Sequence, residues 1–181
     1  MLGNHPSTGP EDVVITVNGR EVRDDTRGDR PLRIGADGIA LSRDGRYLYW
    51  HALSGVTLYR IDTRVLSDFD RSQAELGKAV EAVARTVVTD GLEIDRQDRI
   101  LHTAIELDAI VAYDPARGEL VKVARDDLLA WPDSIALGRD GRLFVTTSRI
   151  DEMARFNDGT DRRTQPYGLF VIPPSPAVSA R

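Results

Sequence analysis

The chain has 181 residues, 41% hydrophobic and 29% charged, the balance of a globular domain and not of a disordered or membrane-embedded one. Its formal net charge is −5 and its Lys and Arg residues are scattered, which excludes the basic stripe of a nucleic-acid binder. It holds no cysteine, so disulfides, thiolate metal sites and a cysteine nucleophile are excluded, and no run approaches the roughly 18 apolar residues of a membrane span.

The first residues, Met1-Leu2-Gly3-Asn4-His5-Pro6, show no basic region followed by an apolar one, so no signal peptide is expected. Val13-Val14-Ile15-Thr16-Val17 followed by Asn18-Gly19 reads as a strand entering a tight hairpin, because Asn-Gly tolerates the positive φ angles such turns need. Residues 1–32 are therefore expected to form an irregular N-terminal segment with a partial blade.

Three later segments superimpose: Asp37-Gly38-Ile39-Ala40-Leu41, Asp90-Gly91-Leu92-Glu93-Ile94 and Asp133-Ser134-Ile135-Ala136-Leu137. Each continues through a polar turn at Asp44, Asp98 or Asp140 into a second apolar strand. The initial Asp recurs at intervals of about 53 and about 43 residues, the period of four-stranded propeller blades. The longer interval has a cause: Ser72-Gln73-Ala74-Glu75 is a capping-box pattern, and Leu76, Ala79, Val80 and Val83 follow at helical spacing. A short helix within Ser72–Ala84 is thus expected between the outer strands of the first blade.

Third strands are expected at Thr57–Ile61, Ala109–Tyr113 and Gly168–Ile172, with fourth strands near Arg85–Val88 and Leu120–Val123. The tail from residue 173 to 181 is Pro-rich and reads as disordered. The fold class that follows is all-β, a β-propeller of about three four-stranded blades over residues 33–172 with one short inserted helix.

Propeller geometry turns the repeat into a site expectation. The innermost strand of each blade begins at one face beside the central channel, so Asp37, Asp90 and Asp133 should ring its mouth. The loops after the second strands, carrying His51, Glu106, Asp108 and Ser148, should border the same opening, and loops on a rigid scaffold are where function concentrates. Converging carboxylates suit a hard divalent cation such as Ca²⁺ or Mg²⁺. One carboxyl with a raised pKa could instead serve as general acid or base, since like charges around a narrow channel resist ionising together. A third reading is that each Asp only caps its own loop through backbone N–H groups. His51 and His102 end equivalent strands; no HxxxH spacing links them, which favours core or rim positions over a metal site. Trp131 and Tyr49 are expected to pack between blades.

Several runs resemble the yellow / major royal jelly protein family: Gly35 to Ser42, Leu129-Ala130-Trp131-Pro132-Asp133-Ser134-Ile135-Ala136-Leu137, and Arg155-Phe156-Asn157-Asp158-Gly159-Thr160-Asp161-Arg162-Arg163. The resemblance covers about Arg33 to Ile172. It implies a six-bladed propeller, usually exported, related distantly to gluconolactonases, and it implies that this chain matches the C-terminal half. Some members are linked to dopachrome conversion, and others bind small amines or serve as nutrient or structural proteins. The lactonase relatives hold a divalent metal on channel side chains, for which Asp90 and Asp133 are the matching candidates here. Where the pattern would run Asp-Leu-Glu-x-Asn, this chain has Ala104-Ile105-Glu106-Leu107-Asp108.

The functional expectations are three. The first is a lactone hydrolase or tautomerase acting on a small molecule through Asp90, Asp133 and Glu106, with Asp37, His51, Asp108 and Ser148 contacting the ligand. The second is a non-enzymatic module binding a small ligand on the same face. The third is a truncated product of little activity, unless two copies close one ring as a homodimer.

Overall fold

The computed structural model describes residues 2–174; the tail expected at 173–181 therefore lies mostly outside the described residues. Asn18 (φ 52°) and Gly19 (φ 75°) take the two left-handed positions of the turn joining β1 (Thr16–Val17) to β2 (Arg20–Glu21). A second hairpin pairs β3 (Arg23–Asp24) with β4 (Arg30–Pro31). Neither hairpin adds a strand to a blade.

The first blade is an antiparallel meander of β5 (Ala36–Leu41), β6 (Tyr47–Ala52), β7 (Thr57–Asp62) and β8 (Glu81–Arg85). Two helices sit between β7 and β8: α1 (Thr63–Leu66), capped by Asp62, and α2 (Gln73–Lys78), closed by the Ser72–Glu75 capping box. The helix is thus shorter than the periodicity over 72–84 suggests. Val83 lies in β8, where Ala84 pairs with Leu58 and Arg60 reaches across to Glu81 at 2.7 Å. The gain from pairing the edge of β7 outweighs a helical preference that is weak over so few residues. For the same reason the fourth strand begins four residues earlier than expected, and 86–88 is the connection into the second blade.

The second blade is β9 (Thr89–Ile94), β10 (Ile100–Ala104), β11 (Ala109–Asp114) and β12 (Glu119–Arg125). The third has three strands among the described residues: β13 (Pro132–Leu137), β14 (Leu143–Thr147) and β15 (Leu169–Ile172). Asp44, Asp98 and Asp140 stand in the hairpin turns at the far end, as expected.

Apolar clusters fill each gap between blades. Leu92 and Ile94 of the second blade pack on Ala40, Tyr49 and Leu58 of the first; Ile135 and Leu137 of the third pack on Leu101 and Ile110 of the second. A further cluster joins Ile15, Val17, Val22 and Leu32 of the N-terminal segment to Leu53, Val56, Val88, Ile105, Trp131 and Phe156. Those six residues all come from loops at the end where the inner strands begin. The N-terminal segment therefore lies across that end of the blades, sealing apolar loop residues that would otherwise face water.

Candidate functional site

The three repeated aspartates are aimed by one backbone device. In each blade the inner strand carries one residue more than its partner at this point: Ala36 to Ile39 opposes Ala52 to Trp50, Thr89 to Leu92 opposes Ala104 to His102, and Pro132 to Ile135 opposes Thr147 to Val145. This is a β-bulge, which leaves an unpaired N–H and re-aims a side chain. The orphan donor is satisfied in two blades by an equivalent threonine, Thr103 Oγ1 accepting from Gly91 N at 2.7 Å and Thr146 Oγ1 from Ser134 N at 3.2 Å. In the first blade His51 stands at that position.

The bulges also let the inner strands approach closely. A Cβ on Gly38 would stand 2.7 Å from the Asp90 carbonyl oxygen, and one on Gly91 would stand 2.4 Å from that of Asp133. Glycine is required at both positions because a side-chain atom would collide with backbone. The three aspartates are thereby drawn together around the channel axis.

Asp90 is the most enclosed of them. Its Oδ2 accepts a hydrogen bond from the indole N–H of Trp131 at 2.8 Å, and its Oδ1 has no hydrogen-bond partner among the described residues. Burial pushes its carboxyl up to about 7; the Trp131 N–H pulls the other way, and the charges of Asp133 and Asp37 add to the rise. Asp37 is open to solvent where no blade precedes it, yet partial burial of its carboxyl and the charge of Asp133 raise it too. Asp37 and Asp133 belong to blades that are not neighbours, so their mutual repulsion marks a convergence at the channel mouth. Asp133 is half-buried and accepts from the Ser134 hydroxyl at 3.0 Å.

Trp131 packs with no exposed surface, as its place in the sequence implies. It also holds Asp90, and it does so at φ 50°, a left-handed conformation that costs a bulky residue free energy, on the order of 1–3 kcal/mol. Its carbonyl accepts from Ser148 N at 3.2 Å, which brings Ser148, whose own hydroxyl is buried with no hydrogen-bond partner among the described residues, into the same group. The adjacency of Trp131 to Asp133 was the available signal: a residue just before one inner strand reaches sideways to the preceding blade's Asp.

The remaining candidates go elsewhere. Glu106 Oε1 accepts from Thr16 N at 2.7 Å, tying the N-terminal hairpin down. With Asp108, Lys122 and Arg125 it lines a groove of about 630 Å³ whose walls include none of the three repeated aspartates. Burial chiefly, with the charge of Asp127, raises the Asp108 carboxyl.

His51 is fully buried, Nδ1 donating to the Ala52 carbonyl at 2.6 Å and Nε2 lying 3.1 Å from the Thr86 hydroxyl. Its ring meets that of His102 edge-on, with 5.9 Å between centroids. Burial pushes His102 down to about 3, helped by His51, and burial lowers His51 as well. Both are core groups held neutral: of the core and rim positions expected for them they take the core one, and His51, expected to contact a ligand, has no exposed surface. Their folded pKa values lie below the unfolded value, so their contribution to stability is full above about pH 6.5 and is lost as pH falls toward 3. Asp90 acts in the opposite sense over part of this interval, so the clean comparison is in the Asp90→Asn background. There the urea midpoint is expected to fall between pH 6.5 and 4, and His102→Leu to remove most of that fall; parallel curves would count against the assignment.

No group of three or more His, Asp or Glu side chains that could hold a metal ion exists among the described residues. One Asp90 oxygen is engaged by Trp131, and the raised pKa disfavours the charged form a cation needs. The cation expected on Asp90 and Asp133 thus finds no ready cage among the described residues.

Residues 14–166 match the family profile described as major royal jelly protein. The structure is similar to that of a gluconolactonase from Xanthomonas campestris, with 20% identity and a TM-score of 0.57, covering 93% of this chain and 55% of that one. It is also similar to a putative gluconolactonase, with 12% identity and a TM-score of 0.54, covering 94% of this chain and 53% of that one. The chain thus spans about half the length of these solved structures, which share its fold. No curated protein sequence matches it significantly.

Proposed function

We propose, since this chain belongs to the major royal jelly protein family, that its channel-mouth face performs acid–base chemistry on a small carbonyl compound, with Asp90 as the proton-transferring group. The observation that carries this reading is a buried carboxyl, held at one oxygen by Trp131, with Asp37 and Asp133 close enough to repel it. A general base works best with a pKa near the operating pH, and burial beside like charges supplies that.

Lactone hydrolysis is the first reaction to test, because the fold is shared with gluconolactonases. Asp90 Oδ1 would accept a proton from water as the water oxygen bonds to the lactone carbonyl carbon. The ring C–O bond then breaks, and the departing oxygen takes the proton back from Asp90. Asp133 and Ser148 would orient the substrate. A tautomerase reading uses the same base to move a proton between two positions of one substrate, and dopachrome is its probe.

Hydrolysis of glucono-δ-lactone in a pH-stat and loss of dopachrome absorbance separate the two. In either case kcat/KM is expected to rise with pH through about 7, because the base must be deprotonated. Asp90→Asn should lower it roughly 100-fold or more. Trp131→Phe removes the N–H that favours the carboxylate, so the rise should move up by roughly one to two pH units. Full activity in Asp90→Asn would sink the proposal. Ligand binding without turnover, mapped to the groove of Glu106, Asp108, Lys122 and Arg125, would favour a binding module instead.

A further inference from the structure

The groove of about 630 Å³ beside Asp108 is built by the two outer strands of the second blade, β11 and β12, with the turn of the N-terminal hairpin and Val87 closing it. Every wall belongs to the chain between Thr16 and Arg125, and none to the inner strand β9 that carries Asp90. Its size is that of a pocket for a small molecule. Glu106 is committed to the hairpin, whose edge it fixes through Thr16 N.

A bulge decides what faces this groove. Lys122 and Arg125 are three residues apart, and a regular strand would point them to opposite faces. The register of β11 and β12 shifts between Ile110 and Val111, so that Val111 stands opposite Lys122 and Ala109 opposite Arg125. Residues directly opposite in an antiparallel pair share a face. The extra residue in β12 therefore brings both cations to one side, over the apolar surface of Ala109, Val111 and Leu120.

An acid and a base stand next to each other at one end of that surface. Asp108 takes a left-handed conformation at φ 48°, and its Oδ1 is buried with no hydrogen-bond partner among the described residues. Arg125 is held beside it: Asp126 N donates to the Asp108 carbonyl at 3.1 Å, and Arg125 Nε donates to the Leu107 carbonyl at 3.3 Å. The ion pair of Arg125 with Asp127, at 3.8 Å, is long and exposed, so the tip of the guanidinium is open to another acceptor.

We propose that this groove binds a free α-amino acid with an apolar side chain, the ammonium on Asp108, the carboxylate on Arg125 and the side chain along Val87, Val111 and Leu120. A carboxylate and a guanidinium side by side match the two opposite charges that an α-amino acid carries on one carbon. The apolar floor takes the side chain out of water. Lys122, further along the same face, repels a side chain that ends in a cation. A lone amine or a lone carboxylate would leave one of the two protein groups unmatched.

Calorimetric titration of the purified chain with L-phenylalanine and L-leucine tests this. Both are expected to bind, and L-lysine at least about 10-fold more weakly. Phenethylamine, which lacks the carboxylate, and hydrocinnamate, which lacks the ammonium, should each bind at least about 10-fold more weakly than phenylalanine. Arg125→Gln and Asp108→Asn should cause losses of the same size, and Lys122→Gln should relax the rejection of lysine. Should a variant not fold, the analogue series on the unaltered chain decides alone. Excess glucono-δ-lactone should leave phenylalanine binding unchanged, because the groove and the channel mouth are separate. Absence of binding by both amino acids, equal binding of either truncated analogue, unchanged affinity in Arg125→Gln, or displacement by the lactone would overturn the proposal.

Discussion

Asp90→Asn is expected to make the protein more stable than the wild type at pH 8, and to lose that advantage as the pH is lowered toward 4. The folded carboxyl titrates near 7 and the unfolded one near 3.8. Between those values the folded chain keeps a proton that the unfolded chain has released. The contribution of Asp90 to stability is therefore present below about pH 3.8 and is lost as pH rises through 7. Asn does not titrate, and its carbonyl oxygen can still accept the Trp131 N–H. The variant should gain roughly 2–4 kcal/mol at pH 8, read as a shift in urea midpoint, and little at pH 4. A difference that stays constant across this range would remove the buried, repelled carboxyl from the account. The same substitution is expected to lower turnover roughly 100-fold or more, and a residue that destabilises the fold while serving the chemistry is what an active-site trade-off predicts.

Gly91→Ala is expected to cost about 3 kcal/mol or more, because the new Cβ would stand 2.4 Å from the backbone oxygen of Asp133. Neither partner can step aside: Gly91 lies in the bulge of β9, and Asp133 begins the neighbouring inner strand. Relief requires the second and third blades to part, which opens the cluster of Leu101, Ile110, Ile135 and Leu137. Gly19→Ala is the control. Gly19 has φ 75° with open space around it, so the strain is local and should cost about 1 kcal/mol. Urea unfolding of both variants decides the matter, and equal midpoints would mean that the inner strands are not packed this tightly.

Much of this was legible because it is periodic. A strand that repeats Asp, an apolar pair and a polar turn announces itself once its copies are aligned, and the paired inner strands, the turn aspartates and the capping box at Ser72 followed from local rules. The exceptions are instructive. Val83 suits a helix as well as a strand, and the free edge of β7 decided for the strand. His51, near the end of its strand, suits a core or a rim position equally, and His102 and Thr86 enclose it in the core. Glu106 reads as a catalytic group because its loop borders the channel face; instead it accepts from the backbone N–H of Thr16, 90 positions earlier.

The N-terminal segment shows the limit most clearly. Its Asn-Gly turn is written in the residues, yet nothing local says that the hairpin will lie across the loops of all three blades. Glu11 accepts from Val56 N and Thr57 N, and Arg20 donates to the carbonyls of Phe156 and Asp151. Such contacts join positions far apart in the chain and leave no spacing to read.

By itself, then, the sequence determined that these residues fold as propeller blades and that one Asp recurs at the start of each. Only the tertiary structure decided which Asp is special. Three identical letters acquire different chemistry because Trp131 lies against Asp90 alone, while Asp37 faces an open side and Asp133 is half-covered. Burial and neighbouring charge set a pKa, and both are properties of position in space.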